Sequence, residues 1–383
     1  MATLVREAVK PGRVISVDAV RGITIAFMIL VNDNGSEKDA YAQLKHAAWN
    51  GWTLTDLVFP SFLFVAGISV VYSIEARLAK GETPRALRLH AVQRAVVLFC
   101  FGLVVNAFPL FNLTSWRIYG VLQRIAICYL VVSVLYLWSR RMVTFVSLVL
   151  VALVAYYIAM RWVPVPGFGM PVRDFPLLDP DKNLAAYIDR ALLPAARLYQ
   201  RVRDPEGLLS TVPALGTAGL GVLTAMWLRT ARSGMLKAGG LLAGAVLGIA
   251  GGELWNVWFP INKKLWTSSY VLFSAGCTLM LLAVCYFAFD AKRLKKGWAY
   301  PWLVFGSNAI TAYMVSELLS ATLGTIHVRC HGVGMSLQHC IFQSVFQGVG
   351  TPALGSLLYS LAYVAVCFVP NLVFYRKRIV LKV

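Results

Sequence analysis

Long apolar runs, separated by short polar segments, decide what this chain can fold into. An α-helix needs about 20 apolar residues to cross the roughly 30 Å hydrocarbon core of a membrane. We therefore predict an all-α, polytopic membrane bundle with about ten transmembrane helices and with both termini on the same side. The predicted spans are approximately 14–34, 55–76, 88–107, 118–138, 142–160, 209–228, 238–258, 266–288, 300–319 and 353–374.

The composition favours a membrane protein over a nucleic-acid-binding one. Of the 383 residues, 58% are hydrophobic and 14% are charged, whereas soluble domains carry about 25% charged residues. The net charge of +19 would suggest a nucleic-acid partner in a soluble protein. In a membrane protein the positive-inside rule explains most of this excess. We therefore expect a lipid bilayer, and no nucleic acid, as a partner.

The basic residues predict the orientation in the membrane. They form six groups that share one face when the number of spans is even, and we predict that this face, with both termini, is cytoplasmic. The groups are Arg6, Lys10 and Arg13; Arg77, Lys80, Arg85 and Arg88; Arg140 and Arg141; Arg229, Arg232 and Lys237; Lys292, Arg293, Lys295 and Lys296; and Arg376, Lys377, Arg378 and Lys382. One transmembrane domain then covers residues 1–383, with outer loops at about 35–54, 161–208 and 320–352.

The polar segment between the first two spans, YAQLKHAAWNGWTLTDLVFP, contains the residues best suited to chemistry. The imidazole of His46 exchanges protons near neutral pH, and the amides of Asn32 and Asn50 both donate and accept hydrogen bonds. Asp56 either caps the second helix, orients His46 or binds a substrate. The competing interpretation is an ordinary interfacial loop with tryptophans such as Trp49.

Further polar residues lie inside the apolar runs, where an ionisable group is costly and usually functional or paired. Each one alone is explained by a hydrogen bond between helices, and Asp18 with Arg21 by a mutual ion pair. Together they predict a polar cavity through the bundle, reached from both sides. They are Asp18, Arg21, Gln123, Arg124, Glu253, Asn262, Lys263, Ser307, Asn308, Glu317 and Asn371.

Cysteines and histidines meet in the last outer loop. Cys330 and Cys340 flank a Gly-rich stretch, and the sequence leaves open whether they form a disulfide. His327, His331 and His339 lie in the same loop, but they lack the tight spacing of metal ligands, so we expect no metal.

Seven blocks of sequence resemble a known family. They are SVDAVRG, the VN pair that ends at Asn32, LKHAAWNGWTLTDLVFPSFLFVAG, GVLQRIAICYL, DPEGLLST, FPINKKLWTSSYVLFSAG and FGSNAITAYM. In this order they resemble the transmembrane acyltransferase family of heparan-α-glucosaminide N-acetyltransferase, with bacterial NagX-like proteins as the nearest relatives. The resemblance runs from about Arg13 to the C-terminus. It departs from the lysosomal enzyme in lacking an extra N-terminal lumenal region and in a longer spacing between Asn32 and His46.

The resemblance implies an acetyl-CoA-dependent enzyme of the bacterial inner membrane, in which the single domain is the acyltransferase. It would move the acetyl group of cytoplasmic acetyl-CoA to the amine of a glucosamine-type amino sugar on the periplasmic side. The catalytic histidine of the family corresponds to His46, and the asparagine implicated beside it corresponds to Asn32. The relatives also suggest a homodimer.

The chemistry of the residues agrees with this implication. Acetyl transfer to an amine needs a base and donors for the developing oxyanion. His46 would be the base, or would carry the acetyl group, and a planar guanidinium suits the phosphates of CoA. We predict catalytic roles for His46, Asn32 and Asp56. We predict acetyl-CoA contacts for Arg124, Gln123, Arg21, Asn262 and Lys263, and substrate contacts for Asn50, Trp49, Asp18 and Glu253.

Two other functions are consistent with the sequence. An inner-membrane transporter of amino sugars or N-acetylglucosamine would also need a polar cavity, and would move sugar without acetyl-CoA. A non-catalytic membrane scaffold would not need so many polar groups inside its spans.

Overall fold

The computed structural model describes residues 14–292, 294, 296–330 and 332–379. The described chain is almost entirely helical, as predicted. Its elements are α1 (Ile15–Asn32), α2 (Val58–Leu78), α3 (Pro84–Ala107), α4 (Val121–Trp138), α5 (Met142–Trp162), α6 (Leu184–Leu192), α7 (Thr211–Leu228), α8 (Gly234–Asn256), α9 (Ser268–Cys285), α10 (Tyr300–Ser307), α11 (Ala309–Thr325), β1 (His327–Cys330), β2 (Val333–Ser336), α12 (Leu337–Ile341) and α13 (Pro352–Arg376).

Nine helical segments of the described chain are long and apolar enough to cross a membrane. They correspond to nine of the predicted spans. The remaining prediction, at 300–319, falls on α10 and α11, which are separated by a break at Asn308. The backbone of Asn308 leaves the helical region, and its side-chain amide donates to the carbonyl oxygen of Ile379. The polytopic all-α class is therefore confirmed, with one span built from two shorter helices.

Helices of the described chain pack with their backbones in direct contact at several glycines, and the closest approaches lie between α1 and α10 and between α2 and α7. A Cβ atom added to Gly22 in α1 would lie 1.8 Å from the carbonyl oxygen of Trp302 in α10, and one added to Gly67 in α2 would lie 2.1 Å from that of Ala218 in α7. Only glycine fits at such approaches. The pairs α1/α10 and α2/α7 thus form the dense interior of the bundle, while α3, α5, α8 and α13 are mostly exposed on their outer faces.

The connections between helices gather at two ends of the bundle. The end that carries His46, which we call the outer end, also carries the segments 108–120, 163–210, 257–267 and 326–351. Its segments contact one another, as in the ion pair between Arg117 and Asp204. The opposite end, which we call the basic end, carries those members of the predicted basic groups that the structure describes, and there Arg140 and Arg229 pair with Glu75.

Some of the residues used to predict the orientation lie outside the described residues. They are Arg6, Lys10, Arg13, Arg293, Lys295 and Lys382.

A small β-hairpin, β1–β2, follows α11 at the outer end. Its strands pair antiparallel with His327 opposite Ser336. A disulfide joins Cys330 at the end of β1 to Cys340 in α12, with 5.8 Å between the Cα atoms. The sequence had left this bond open, and the structure contains it. It ties the hairpin to the short helix that follows.

The disulfide predicts a measurable contribution to stability. Replacing both Cys330 and Cys340 by Ala should lower the unfolding midpoint in detergent, because a disulfide typically contributes about 2–4 kcal/mol by restricting the unfolded chain. Reductant should lower the midpoint of the native protein towards that of the double variant. Cys100→Ala, which removes an exposed free thiol on α3, should change nothing. An equal response of native and double-variant protein to reductant would contradict the prediction.

Candidate active site

The carboxylate of Asp56 organises the segment that carries His46. It lies in the short turn before α2, and its side chain is only 2% exposed. Its two oxygens accept hydrogen bonds from His46 Nδ1 at 2.8 Å, from the amide of Ala47 at 3.0 Å and from the amide of Thr53 at 3.1 Å. Asp56 therefore caps the turn and also orients the imidazole, so two of the three roles that the sequence offered for it are combined.

The imidazole of His46 is held on one side and accessible on the other. Its side chain is 42% exposed, in contrast to its buried partner Asp56. When Nδ1 carries the proton that Asp56 accepts, the neutral ring keeps a lone pair on Nε2. The ring can then take up a proton at Nε2, which is the property required of a general base.

Lys263 completes a three-residue cluster. Its Nζ atom lies 3.0 Å from Nδ1 and 3.2 Å from Nε2 of His46, and 3.7 Å from the nearer Asp56 oxygen. Burial lowers the pKa of the Lys263 amine from its ordinary value, and neighbouring Lys264 adds to this, while Asp56 and Glu206 oppose it. The cluster thus places the ammonium of Lys263 beside His46, and this ammonium gives up its proton more readily than that of an ordinary lysine.

The loop between α8 and α9 is clamped onto the His46 segment. The side-chain amide of Asn262 donates to Asn50 Oδ1 at 3.1 Å, and the backbone amide of Gly51 donates to the Ile261 carbonyl at 2.8 Å. Lys264 Nζ donates to the carbonyl of Ala48 at 2.8 Å. These contacts bring Lys263 to His46. They also occupy Asn50 and Asn262 with each other, so both residues hold the site together from outside the cavity.

A cavity of about 1090 Å³ opens beside this cluster at the outer end. This size is at the upper limit of ordinary small-molecule sites. It extends into the bundle as far as Met28 in α1 and Phe59 in α2. The charged residues of its lining are the cations or potential cations Lys45, His46, Arg117, Lys263, Lys264 and His339 and the acids Asp33, Glu37, Asp56, Glu206 and Glu317.

A second polar group lines the same cavity at the end of α1. Asn32 is exposed and lines the cavity together with Glu317 in α11. Asp33 is buried and lines the cavity together with Ser320. Burial raises the pKa of Asp33 to about 7, and the charge of Glu317 adds to this. The cavity therefore has the His46 cluster on one part of its lining and an amide with two acids on another.

The structure does not bring Arg124 or Gln123 to the cavity. Arg124 is 1% exposed; its guanidinium donates to the Gly207 carbonyl at 3.2 Å and to the hydroxyl of Ser210, and it stacks 4.9 Å from the centre of the Trp266 ring. Its Nε and Nη1 atoms have no hydrogen-bond partner. Gln123 is buried against α3. Both residues lie in the packed interior below the cavity.

Asp18, Arg21 and Glu253 are also remote from the cavity. Asp18 and Arg21 form the mutual ion pair at 3.1 Å near the basic end, about 20 Å along α1 from Asn32. Arg21 further donates to Ser69 at 2.7 Å. Glu253 is exposed on α8, where it accepts a hydrogen bond from Asn256.

The sequence predicted a cavity that is reached from both sides. The structure instead places the cavity at the outer end alone. At the other end the close packing of α1 on α10 and the Asp18–Arg21 pair fill the space.

Of the predicted site residues, His46, Asn32, Asp56, Lys263 and Trp49 line the cavity together. Sequence reasoning missed Arg117 and Glu206, which also line it and pair with each other and with Asp204. Asp204 and Glu206 occur in the DPEG block just before α7. This cluster of acids next to the start of a helix could have been used to predict that the segment contributes to the site. Among the described residues, no group of three His, Cys, Asp or Glu side chains is arranged to hold a metal.

These features define a class of protein: a polytopic membrane protein with a histidine–carboxylate pair in the lining of a cavity open at one end. The model of the family "Heparan-alpha-glucosaminide N-acetyltransferase, catalytic" matches residues 13–194, which include Asn32, His46 and Asp56. Human heparan-alpha-glucosaminide N-acetyltransferase is 31% identical over 357 residues, and its mouse counterpart is 30% identical over 355. The chain is therefore similar to proteins of this family.

The matches cover much of this chain but only part of its relatives. They span 80% of this chain for the human protein and 79% for the mouse protein, and 53% of each relative. The chain thus corresponds to about half the length of the curated relatives it matches.

The hydrogen bonds of Asp56 predict unequal effects of two substitutions on stability. Asp56→Asn should lower the free energy of unfolding by about 2–3 kcal/mol, because it removes the charge that several donors share. His46→Ala should cost less than about 1 kcal/mol, because Asp56 keeps the donors of Ala47 and Thr53. Thermal unfolding in detergent measures both, with His327→Ala, an exposed histidine of the hairpin, as control. A larger loss for His46→Ala would refute this account of the segment.

Asp189 in α6 predicts a pH dependence of stability at the outer end. Its buried carboxylate accepts hydrogen bonds from the backbone amides of Asp204 and Leu208. Burial raises the pKa of Asp189 to about 7, and the negative charge of Asp204 adds to this. The pKa of such a carboxyl is higher in the folded than in the unfolded chain. Its contribution to the stability of the folded state is therefore fully present below about pH 4 and is lost as the pH rises through 7.

The test is the difference in unfolding midpoint between native protein and Asp189→Asn. This difference should shrink between pH 5 and pH 8, because only the native protein ionises a buried acid over that range. The exposed residue Asp39 serves as control, since Asp39→Asn should give a constant difference. A growing difference for Asp189→Asn would contradict the prediction.

Proposed function

We propose that this protein is an acetyl-CoA-dependent N-acetyltransferase of the bacterial inner membrane, related to the NagX-like proteins. It transfers the acetyl group of cytoplasmic acetyl-CoA to the amine of a glucosamine-type amino sugar on the periplasmic side. The observation that carries the proposal is the Asp56–His46 pair in the lining of the outer cavity. The similarity to this family supports it, because the human and mouse proteins are named for transfer of an acetyl group to a glucosaminide nitrogen.

The cluster supplies the steps that acetyl transfer requires. Acetyl-CoA supplies an activated acyl group as a thioester. Asp56 keeps the Nδ1 proton of His46, and Nε2 takes a proton from the amine of the sugar as its nitrogen attacks the carbonyl carbon. A C–N bond forms and the C–S bond breaks, and the proton taken by His46 passes to the departing thiolate of CoA. We favour this direct transfer over an acetyl-histidine intermediate.

The developing oxyanion needs hydrogen-bond donors or positive charge nearby. The ammonium of Lys263, next to His46 and Asp56, is suited to this role. The further cations of the lining, Lys45, Lys264 and Arg117, add positive charge around the site. In this proposal Arg124 does not bind the phosphates of CoA, because its guanidinium is enclosed by Trp266, Gly207 and Ser210.

Delivery of acetyl-CoA from the cytoplasm requires a path along α1. Met28 belongs to the cavity lining, and seven residues of α1, about 10 Å, separate it from Arg21 of the Asp18–Arg21 pair. We propose that the basic end opens for acetyl-CoA while the outer cavity receives the sugar. We also propose a homodimer, for which the largely exposed apolar face of α8 offers a surface.

A cavity open at one end and closed at the other is also what a transporter shows in one of its conformations, so sugar transport is the second candidate. It predicts saturable uptake of amino sugar into liposomes without acetyl-CoA. A transporter does not need the Asp56–His46 pair for acid–base chemistry, and this difference decides between the two functions.

His46→Ala provides the main test of the proposal. Purified native protein in detergent should acetylate glucosamine and should be stabilised against heat by millimolar acetyl-CoA. His46→Ala should lose at least about 100-fold in acetyl transfer, the lower range for removal of a general base, while retaining the stabilisation by acetyl-CoA. His339→Ala, which removes a histidine of the same lining, should transfer normally. Full activity of His46→Ala, or no response of the native protein to acetyl-CoA, would refute the proposal.

A further inference from the structure

The carboxylate of Asp204 holds several residues that line the outer cavity. It lies just before α7, and its side chain is fully buried. Its two oxygens accept hydrogen bonds from Nε of Arg117 at 2.8 Å and from Nη2 of Arg117 at 2.6 Å. They also accept the backbone amides of Tyr199 at 3.1 Å and of Glu206 at 2.9 Å. Since Arg117, Tyr199 and Glu206 all line the cavity, one buried acid fixes three residues of its lining.

Tyr199 contributes an exposed aromatic ring to this lining. The residue is 63% exposed, and the guanidinium of Arg117 lies 4.7 Å from the centre of its ring. A guanidinium is attracted to the electron-rich face of an aromatic ring, so this contact holds the ring while Asp204 holds the backbone. Single exposed aromatic residues are common on protein surfaces, but this one is fixed in two ways and borders a cavity. It therefore offers a preformed flat surface to a ligand.

Glu206 adds a hydrogen-bond acceptor that is held by the same guanidinium. Its Oε2 atom accepts a hydrogen bond from Nη2 of Arg117. In the part of the chain that the structure describes, its Oε1 atom accepts no hydrogen bond and is not enclosed. A ligand that meets Oε1 must supply an O–H or N–H donor, because a carboxylate oxygen only accepts. Two carboxylates face one guanidinium in this group, and the excess of negative charge disfavours the phosphates of acetyl-CoA.

We propose that Tyr199 and Glu206 form the subsite for the sugar ring of the acceptor. The C–H face of a pyranose packs on the ring of Tyr199, and a sugar hydroxyl donates to Oε1 of Glu206. Ligand sites combine aromatic surfaces with a few polar groups that fix orientation, and the negative face of an aromatic ring attracts weakly positive C–H groups. The inference rests on the proposed acetyltransferase function and names the part of its site that selects the acceptor. His46 lines the same cavity, so the amine of the bound sugar remains available to the base.

The first test removes the aromatic ring. Tyr199→Leu should raise the KM for glucosamine about 10-fold or more, because the sugar loses its stacking surface, and should leave the KM for acetyl-CoA within about twofold. Calorimetric titration with glucosamine, without acetyl-CoA, should show the same loss of affinity. Tyr199→Phe keeps the ring and should bind glucosamine at least about 5-fold better than Tyr199→Leu. Tyr41→Leu, which removes an exposed tyrosine of the outer end that is not part of the lining, should leave both KM values unchanged.

The second test changes the acceptor oxygen. Glu206→Gln should raise the KM for glucosamine about 5-fold or more, because a hydrogen bond to a carboxylate is stronger than one to a neutral amide. The KM for acetyl-CoA should again stay within about twofold. Glu82→Gln, which alters an acid at the basic end paired with Arg77, is the matched control and should leave both KM values unchanged.

The third test separates recognition of the sugar ring from support of the loop. Ethanolamine carries an amine but no ring, so it cannot use the surface of Tyr199. The native protein should therefore prefer glucosamine to ethanolamine in kcat/KM, and Tyr199→Leu should reduce this preference about 10-fold. If Tyr199 only stabilised its loop, transfer to both amines would fall by the same factor. An unchanged preference in Tyr199→Leu overturns the inference.

The outcomes for the subsite and for the proposed function are distinguishable. Native protein that neither responds to acetyl-CoA nor transfers acetyl groups would refute the proposed function. Titration with glucosamine then still decides about the subsite, because it needs no acetyl-CoA. Active native protein with an unchanged acceptor KM in Tyr199→Leu and Glu206→Gln, or with a raised acetyl-CoA KM instead, would overturn the subsite alone. Should Tyr199→Leu fail to fold, Glu206→Gln decides the matter, since it preserves the size of the side chain.

Discussion

The buried carboxylate of Asp56 is the interaction on which the outer end depends. Its negative charge is tolerated because the backbone of the same turn and the ring of His46 all donate to it. Below it, the hydroxyl of Tyr270 donates to the backbone carbonyl of Asp56, and the ring of Tyr270 lies edge-on to Trp266. Arg124 stacks on the other side of this column. A continuous set of packed groups therefore runs from the first turn of α4 to the imidazole.

This column explains how Arg124, which lies outside the cavity lining, supports the segments that form the cavity. Arg124 contacts the segment before α7, which carries Glu206, and the ring of Trp266, which follows Lys263 by three residues. Both segments contribute to the cavity lining. A buried guanidinium with few hydrogen bonds lowers the stability of the folded protein. Here its stacking on Trp266 and its contact with the Gly207 carbonyl fix the positions of two loops relative to the site.

The sequence predicted the class of fold because spans of about 20 apolar residues have few alternatives. It offered orientation of His46 as one of three roles for Asp56, since ten residues of polar, turn-rich sequence at one membrane surface bring them near each other. It could not place Arg124, because an arginine inside an apolar run looks the same whether it faces a ligand or an aromatic ring.

Contacts between distant segments were equally out of reach of the sequence. Asn50 and Asn262, predicted to bind substrate and acetyl-CoA, are separated by 212 positions and occupy each other. The break at Asn308 was missed because the apolar pattern of 300–319 continues through it, and the reason for the break is a hydrogen bond to the last turn of the chain.

The glycine contacts have a mechanical consequence. Because the backbones of α1 and α10 touch at Gly22, and those of α2 and α7 touch at Gly67, neither pair slides internally without a steric collision. Each pair then behaves as one rigid unit, and relative motion of these helices is confined to the boundary between the two units. The hydrogen bond from Arg21 in α1 to Ser69 in α2 crosses that boundary and so ties one unit to the other.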